Sequence, residues 1–252
     1  AGAFHSIALT ADGAVWSWGY GVCGQLGHGN QQNQLLPKKI EALAGRRVVA
    51  VSAGCLHNLA ITTDGSVWSW GGGGVGQLGH GDEQTQQQPK KVEALAGQRV
   101  VAVSAGGRYS IAITADGAAW TWGEGTHHGD DQNQLLPKRI EGLAGQRVVA
   151  VSAGAMHSLA LTADGAVFTW GAGKSGCLGH GEDRSNQLLP KKIEAFAAQR
   201  VVAVSAGGRY SIAITADGAA WTWGEGTHGC LGHGEDLSNQ MLPKKVEALA
   251  GR

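Results

Sequence analysis

The feature that most constrains this chain is a tandem repeat. A W-x-W-G element, F-T-W-G in the fourth copy, makes Trp18, Trp70, Trp122, Trp170 and Trp223 equivalent. By subtraction they are 52, 52, 48 and 53 residues apart. A period of this length marks units that cannot bury their apolar faces alone and must stack on one another. The repeats run 1–52, 53–104, 105–152, 153–205 and 206–252, within one expected domain over 1–252.

Each repeat reads as four short strands. Val48–Ser52 is V-V-A-V-S, rich in a residue that favours a pleated, buried strand. In His5–Thr10, Ile7 and Leu9 share a face and Ser6 and Ala8 take the other. Asp12-Gly13 follows, a hairpin signal repeated at Asp64-Gly65, Asp116-Gly117, Asp164-Gly165 and Asp217-Gly218. The third strand, A-V-W-S-W-G, places Trp16 and Trp18 on one face. A glycine-rich loop, Gly24–Gly29, leads to Leu36–Glu41, where Pro37 suits the start of an edge strand.

Both faces of these strands are apolar or small, and radial stacking of sheets buries both. The expected fold is therefore all-β: a β-propeller of five blades of four-stranded antiparallel sheets, closed or an open arc. Large residues (Trp, Ile, Leu) of one blade are expected to meet Ala, Ser and Gly of the next. A buried Trp hides about 150–250 Å², so the nine tryptophans read first as core. Only four V-V-A-V-S strands accompany the five W-G strands. Blade one is then three-stranded, or the ring is open, or the chain is cut from a longer one, the expectation favoured here.

The motifs A-G-x-x-H-S-L-A-L-T, D-G-x-V-W-x-W-G and G-Q-L-G-H-G occur in this order, most clearly at Ala153–Thr162 and Asp164–Gly171. Together they resemble the regulator of chromosome condensation repeat family over essentially the whole chain. The resemblance implies a propeller, usually of seven blades. It also implies two sharper activities. One is nucleotide exchange on a small GTPase, which needs a wedge-like insertion, and no repeat here is longer than the 53-residue spacing. The other is ultraviolet sensing through tryptophans that precede an arginine. The residues in that place are Ala3, Cys55, Gly107, Ala155 and Gly208, so the tryptophan cluster is absent. Arg108 and Arg209 match the arginine, which lies on a dimer face in that branch.

The copies are unusually alike. Gln98–His127 and Gln199–His228 are identical over 30 residues, which implies recent duplication or deliberate assembly. Repeat three has Thr126-His127-His128-Gly129 where repeat five has Thr227–Gly234, a shortened corner read as a tolerated deletion.

Lys plus Arg and Asp plus Glu both total 20, so no net charge draws the molecule to nucleic acid or anionic membrane. The pairs Lys38-Lys39, Lys90-Lys91, Lys138-Arg139, Lys191-Lys192 and Lys244-Lys245 are each followed by an acid (Glu41, Glu93, Glu141, Glu194, Glu247). They read as a charge-balanced outer edge that resists aggregation. His28, His80, His180 and His233, with His5, His57 and His157, recur a whole blade apart, too far to share a metal. They are expected to tie loop carbonyls. The one local cluster is His127-His128 with Asp130-Asp131. No metal, no cofactor and no catalytic residue is expected. Cys23, Cys55, Cys177 and Cys230 form no C-x-x-C pair and read as reduced thiols, which points to an intracellular, cytoplasmic or nuclear setting.

The informative variable position precedes the motif His or Tyr: Phe4, Leu56, Arg108, Met156 and Arg209. These five sit at the bend between the first and second strands and are expected to ring one propeller face. Their types suit a partner interface, though they could instead plug the channel mouth. The expected function is a non-enzymatic scaffold that binds a protein through this face, with self-association as one form of it. The alternatives are regulation of a small GTPase, or a duplicated or engineered array with no selected ligand.

Overall fold

The computed structural model describes residues 1–125 and 132–249. The corner at Thr126–Gly129 and the His127, His128, Asp130 and Asp131 cluster lie outside the described residues.

Among the described residues, nineteen strands form five antiparallel sheets. Blade 1 holds β1 (His5–Leu9), β2 (Val15–Gly19) and β3 (Gln34–Lys39). Blade 2 runs β4 (Val48–Ala53), β5 (His57–Thr62), β6 (Val67–Gly71) and β7 (Gln86–Lys91). Blade 3 runs β8 (Val100–Ala105), β9 (Tyr109–Thr114), β10 (Ala119–Gly123) and β11 (Gln134–Arg139). Blade 4 runs β12 (Val148–Ala153), β13 (His157–Thr162), β14 (Val167–Gly171) and β15 (Gln187–Lys192). Blade 5 runs β16 (Val201–Ala206), β17 (Tyr210–Thr215), β18 (Ala220–Gly224) and β19 (Gln240–Lys245). Blades 2 to 5 are four-stranded as expected, and blade 1 has three strands, the first of the alternatives raised by the missing V-V-A-V-S copy.

The hairpins form where the Asp-Gly steps stand. Thr10 N–H donates to Ala14 O, Gly13 N–H donates to Thr10 O, and Gly13 alone takes positive φ, at 86°. This is a three-residue hairpin loop rather than the two-residue turn that the Asp-Gly signal first suggests. Asp12 accepts from the Thr10 hydroxyl, closing the loop with a side chain.

The register puts Trp16 opposite Ala8 and Trp18 opposite Ser6. Trp therefore shares a face with the small residues of its neighbour strand, and Ile7 and Leu9 occupy the other face. The packing expectation changes accordingly: the Trp face of one blade meets the Ile/Leu face of the blade before it. Leu59, Ile61, Val67 and Leu95 of blade 2 cluster with Val100, Ala112 and Trp122 of blade 3. Equivalent clusters join blades 1 and 2, 3 and 4, and 4 and 5. Among the described residues none joins blade 5 to blade 1, so the array is an open arc.

The open ends show in burial. Trp70, Trp122, Trp170 and Trp223 are fully buried, whereas Trp18, against whose face no described blade packs, is only half-buried. The first tryptophans of the motif, Trp16, Trp68, Trp120 and Trp221, are also partly exposed, so not all nine belong to the core. The V-V-A-V-S strands are innermost. A register shift between their first and third residues turns Val49, Val101, Val149 and Val202 half outward, against the expectation of a buried strand.

At the outer edge, Pro37 sits inside β3 rather than at its start, next to a register shift between Ser17 and Gly19 of β2. Lys191 and Lys244 pair with the loop residues Asp183 and Asp236 at 2.8 Å. The glutamates two residues on open short 3-10 turns such as Glu41–Leu43. At these two edges the lysine pairs with a loop carboxylate and not with the neighbouring glutamate. Among the described residues no helix is long and apolar enough to cross a membrane.

Candidate functional site

The five bends are built alike. Tyr20 N–H donates to Phe4 O, Gly72 to Leu56 O, Glu124 to Arg108 O, Ala172 to Met156 O and Glu225 to Arg209 O. One hydrogen bond pins each bend to the residue just after the W-G step and leaves its side chain free to vary. Phe4 and Met156 are 65% and 51% exposed, and the Arg108 and Arg209 side chains are more than half exposed. Leu56 is half-buried. The residues next to them, Ala1–Ala3, Ala53–Cys55, Ala105–Gly107, Ala153–Ala155 and Ala206–Gly208, line one shallow hollow at the axis. The five bend residues are not part of that lining; the residues just before them in the chain are.

Sequence reasoning missed the second residue of each bend. Phe4 meets Tyr20 edge-on with ring centroids 6.1 Å apart. Arg108 lies 3.5 Å from Glu124, and Arg209 lies 3.9 Å from Glu225. Leu56 stands over Gly72, and Met156 is joined to Ala172 through the backbone. The face thus alternates aromatic, aliphatic and ion-paired stations. The signal was present in the repeats: Glu follows W-G in the two copies whose bend carries Arg. Exposed ion pairs such as these add little stability.

Beneath the face, the histidines hold blades together. His5 Nε2 lies 2.8 Å from Asn58 Oδ1, His57 Nε2 lies 2.9 Å from Ser110 Oγ, and His157 Nε2 lies 2.8 Å from Ser211 Oγ. Ser110 and Ser211 spend their own protons on the carbonyls of Gln77 and Cys177, so each imidazole donates from Nε2. Burial lowers the pKa of His57 to about 3 and of His157 to about 4. In blade 3 a tyrosine does this work: Tyr109 donates to His157 O and accepts from Ser158 Oγ. The loop histidines His28, His80, His180 and His233 contact a Ser or Thr hydroxyl at 2.9–3.1 Å, and that hydroxyl in turn donates to the loop carbonyl. They reach the carbonyl through a hydroxyl, not directly as expected. No group of three His, Cys, Asp or Glu among the described residues could hold a metal. All four cysteines are free thiols.

Between blades 4 and 5 the face becomes concave. A cavity of about 490 Å³ opens there, lined by Met156, Lys174, Ser175, Cys177, Asn186 and Arg209 among others. It unites two of the five bend residues. Burial pushes the Cys177 thiol up to about 11, so it stays protonated at neutral pH.

Stacked four-stranded blades around an axis lined by small residues define a β-propeller repeat protein. The chain belongs to the regulator of chromosome condensation (RCC1) repeat family, whose repeat matches residues 12–61, 64–113, 116–161, 164–214 and 217–252. It is 39% identical to the human E3 ubiquitin-protein ligase HERC2 over 253 residues, which is 100% of this chain and 4% of that protein. It is 38% identical to the Arabidopsis thaliana ultraviolet-B receptor UVR8, over 99% of this chain and 46% of the receptor. The chain therefore spans less than half the length of these relatives. The crystal structure of human WBSCR16 superposes with a TM-score of 0.85 at 29% identity, over 96% of this chain and 65% of that one.

Proposed function

We propose that this chain is a non-enzymatic interaction scaffold that docks a protein partner on the face ringed by Phe4, Leu56, Arg108, Met156 and Arg209. The observation that carries this reading is the contrast within each bend. The backbone hydrogen bond is the same five times. The axis-lining residues stay almost uniformly Ala and Gly. Only the outward residue and the one it stands over differ, and they differ among aromatic, aliphatic and charged types. Large apolar and arginine side chains held on a rigid frame are what a protein interface uses as anchors.

The test is affinity capture from a matched cell extract by the wild-type chain and by Phe4→Ala combined with Met156→Ala. The double variant is expected to keep its melting temperature, because both side chains are exposed, and to lose about ten-fold of the captured partner. Leu36→Ser, on the 77% exposed outer edge, is the control expected to capture normally. Equal capture by the double variant contradicts the reading.

A further inference from the structure

The cavity between blades 4 and 5 has a local cause. In blades 1 and 2 the loop after the W-G step is closed by a glutamine. Gln25 Oε1 accepts from Cys23 N–H at 2.8 Å, and Gln77 Oε1 accepts from Val75 N–H at 3.0 Å. Both glutamines are buried. In blade 4 the same place holds Cys177, and the residue in the place of Cys23 and Val75 is Ser175. The thiol turns instead to Ala172 O, at 3.0 Å. Its short side chain cannot fill the volume of a glutamine, and the amide of Ser175 has no glutamine oxygen in front of it.

The backbone role of this position is unchanged. Cys177 O accepts from Trp223 Nε1 at 2.8 Å and from Ser211 Oγ at 2.9 Å, and Gln25 O accepts from Trp70 Nε1 at 3.1 Å and from Asn58 Nδ2 at 2.7 Å. The hollow is therefore a side-chain vacancy in an intact blade junction. Its rim is cationic. Lys174 is exposed and stands where blades 1 and 2 carry Val22 and Gly74. Arg209 borders the other side and shares its charge with one acid, Glu225, at 3.9 Å.

We propose that this cavity takes an acidic side chain of a partner protein, whose carboxylate occupies the place of the missing glutamine oxygen. The carboxylate meets the Ser175 amide and the charges of Lys174 and Arg209, while Met156 packs on the aliphatic stem of the inserted residue. A volume of about 490 Å³ is in the range of ligand-binding clefts and admits one such side chain with its flanking backbone. The inference rests on the scaffold reading above and names its anchor.

The test uses an array of immobilised Gly-Xaa-Glu-Xaa-Gly peptides beside the matching Gly-Xaa-Gln-Xaa-Gly set. The wild-type chain is expected to be retained about five-fold better by the Glu set, since a charge-assisted hydrogen bond is about twice as strong as a neutral one. Cys177→Gln installs the residue that blades 1 and 2 carry, and is expected to bring the ratio to about one without lowering the melting temperature. Lys174→Val, at an exposed loop position, is expected to reduce the ratio without touching the core. A ratio of one in the wild type, or an unchanged ratio in Cys177→Gln, overturns the proposal. So does complete competition by low-millimolar acetate, which would make the site one for small carboxylates. Extract capture that survives Cys177→Gln but is lost in Phe4→Ala with Met156→Ala removes this anchor and leaves the scaffold reading standing.

Discussion

Blades 3 and 5 share an identical run of 30 residues, Gln98–His127 and Gln199–His228, and the structure treats the two runs differently. Tyr109, Ile111 and Ile113 of blade 3 are 0–1% exposed, while Tyr210, Ile212 and Ile214 of blade 5 are only half-buried. Trp122 and Trp223, on the opposite face, are both fully buried. The difference lies in the neighbours. Each Trp face has a blade before it, but only the Ile face of blade 3 has a blade after it. Burial in this fold is thus a property of the junction between blades, not of the blade sequence. Side chains at a junction can also change without changing the backbone: Cys177 and Gln25 have the same backbone role, and only the space they leave differs.

The largest expected effect comes from acid, because protonation attacks some junctions and spares another. His57 and His157 are neutral in the folded chain, with pKa values of about 3 and about 4 against an ordinary 6.5. A base whose folded pKa is lowered favours folding above its unfolded pKa. That stability is lost as pH falls from 6.5 toward the folded values, at about 1.4 kcal/mol per pH unit for each histidine. Urea unfolding across pH 7 to 4 should show this slope. His57→Tyr, which copies the residue at the blade 3 junction, should flatten it by about one histidine's share. A slope unchanged in that variant would mean that the junction is not where acid acts.

A smaller effect sharpens the comparison. Tyr109→Phe removes a hydroxyl that both donates to His157 O and accepts from Ser158 Oγ, and should cost about 1–2 kcal/mol. The same change at Tyr210, against which no described blade packs, should cost under about 0.5 kcal/mol in this chain. Paired urea midpoints measure both, and equal losses would mean that Tyr210 has a buried partner.

Much of the architecture was legible in the sequence because its signals are local. Strand alternation in His5–Thr10, the Asp-Gly steps and the fixed place of W-G need only a few neighbouring residues. What the sequence hid is set between blades. Trp16 and Ile7 fall on opposite faces through the pairing of β1 with β2, and which face meets which follows only from stacking. The Lys191–Asp183 pair crosses a loop, so the nearer Glu194 drew the charge-balance reading instead. At the face, the bend residues were legible as variable positions. Their partners, Tyr20, Glu124 and Glu225, were visible as residues that change in step but not as contacts. The exchange of Gln25 for Cys177 was also visible, but its consequence was not, because a cavity depends on what surrounds it.

The central claim is that a following blade, and not the blade's own sequence, buries its Ile face. The most direct measurement is the unfolding free energy of Ile111→Ala beside that of Ile212→Ala, with Trp122→Ala and Trp223→Ala as the matched pair. Ile111→Ala should lose about 3 kcal/mol and Ile212→Ala about 1 kcal/mol, while the two tryptophan variants lose about the same amount as each other. Equal losses at Ile111 and Ile212 would contradict the account.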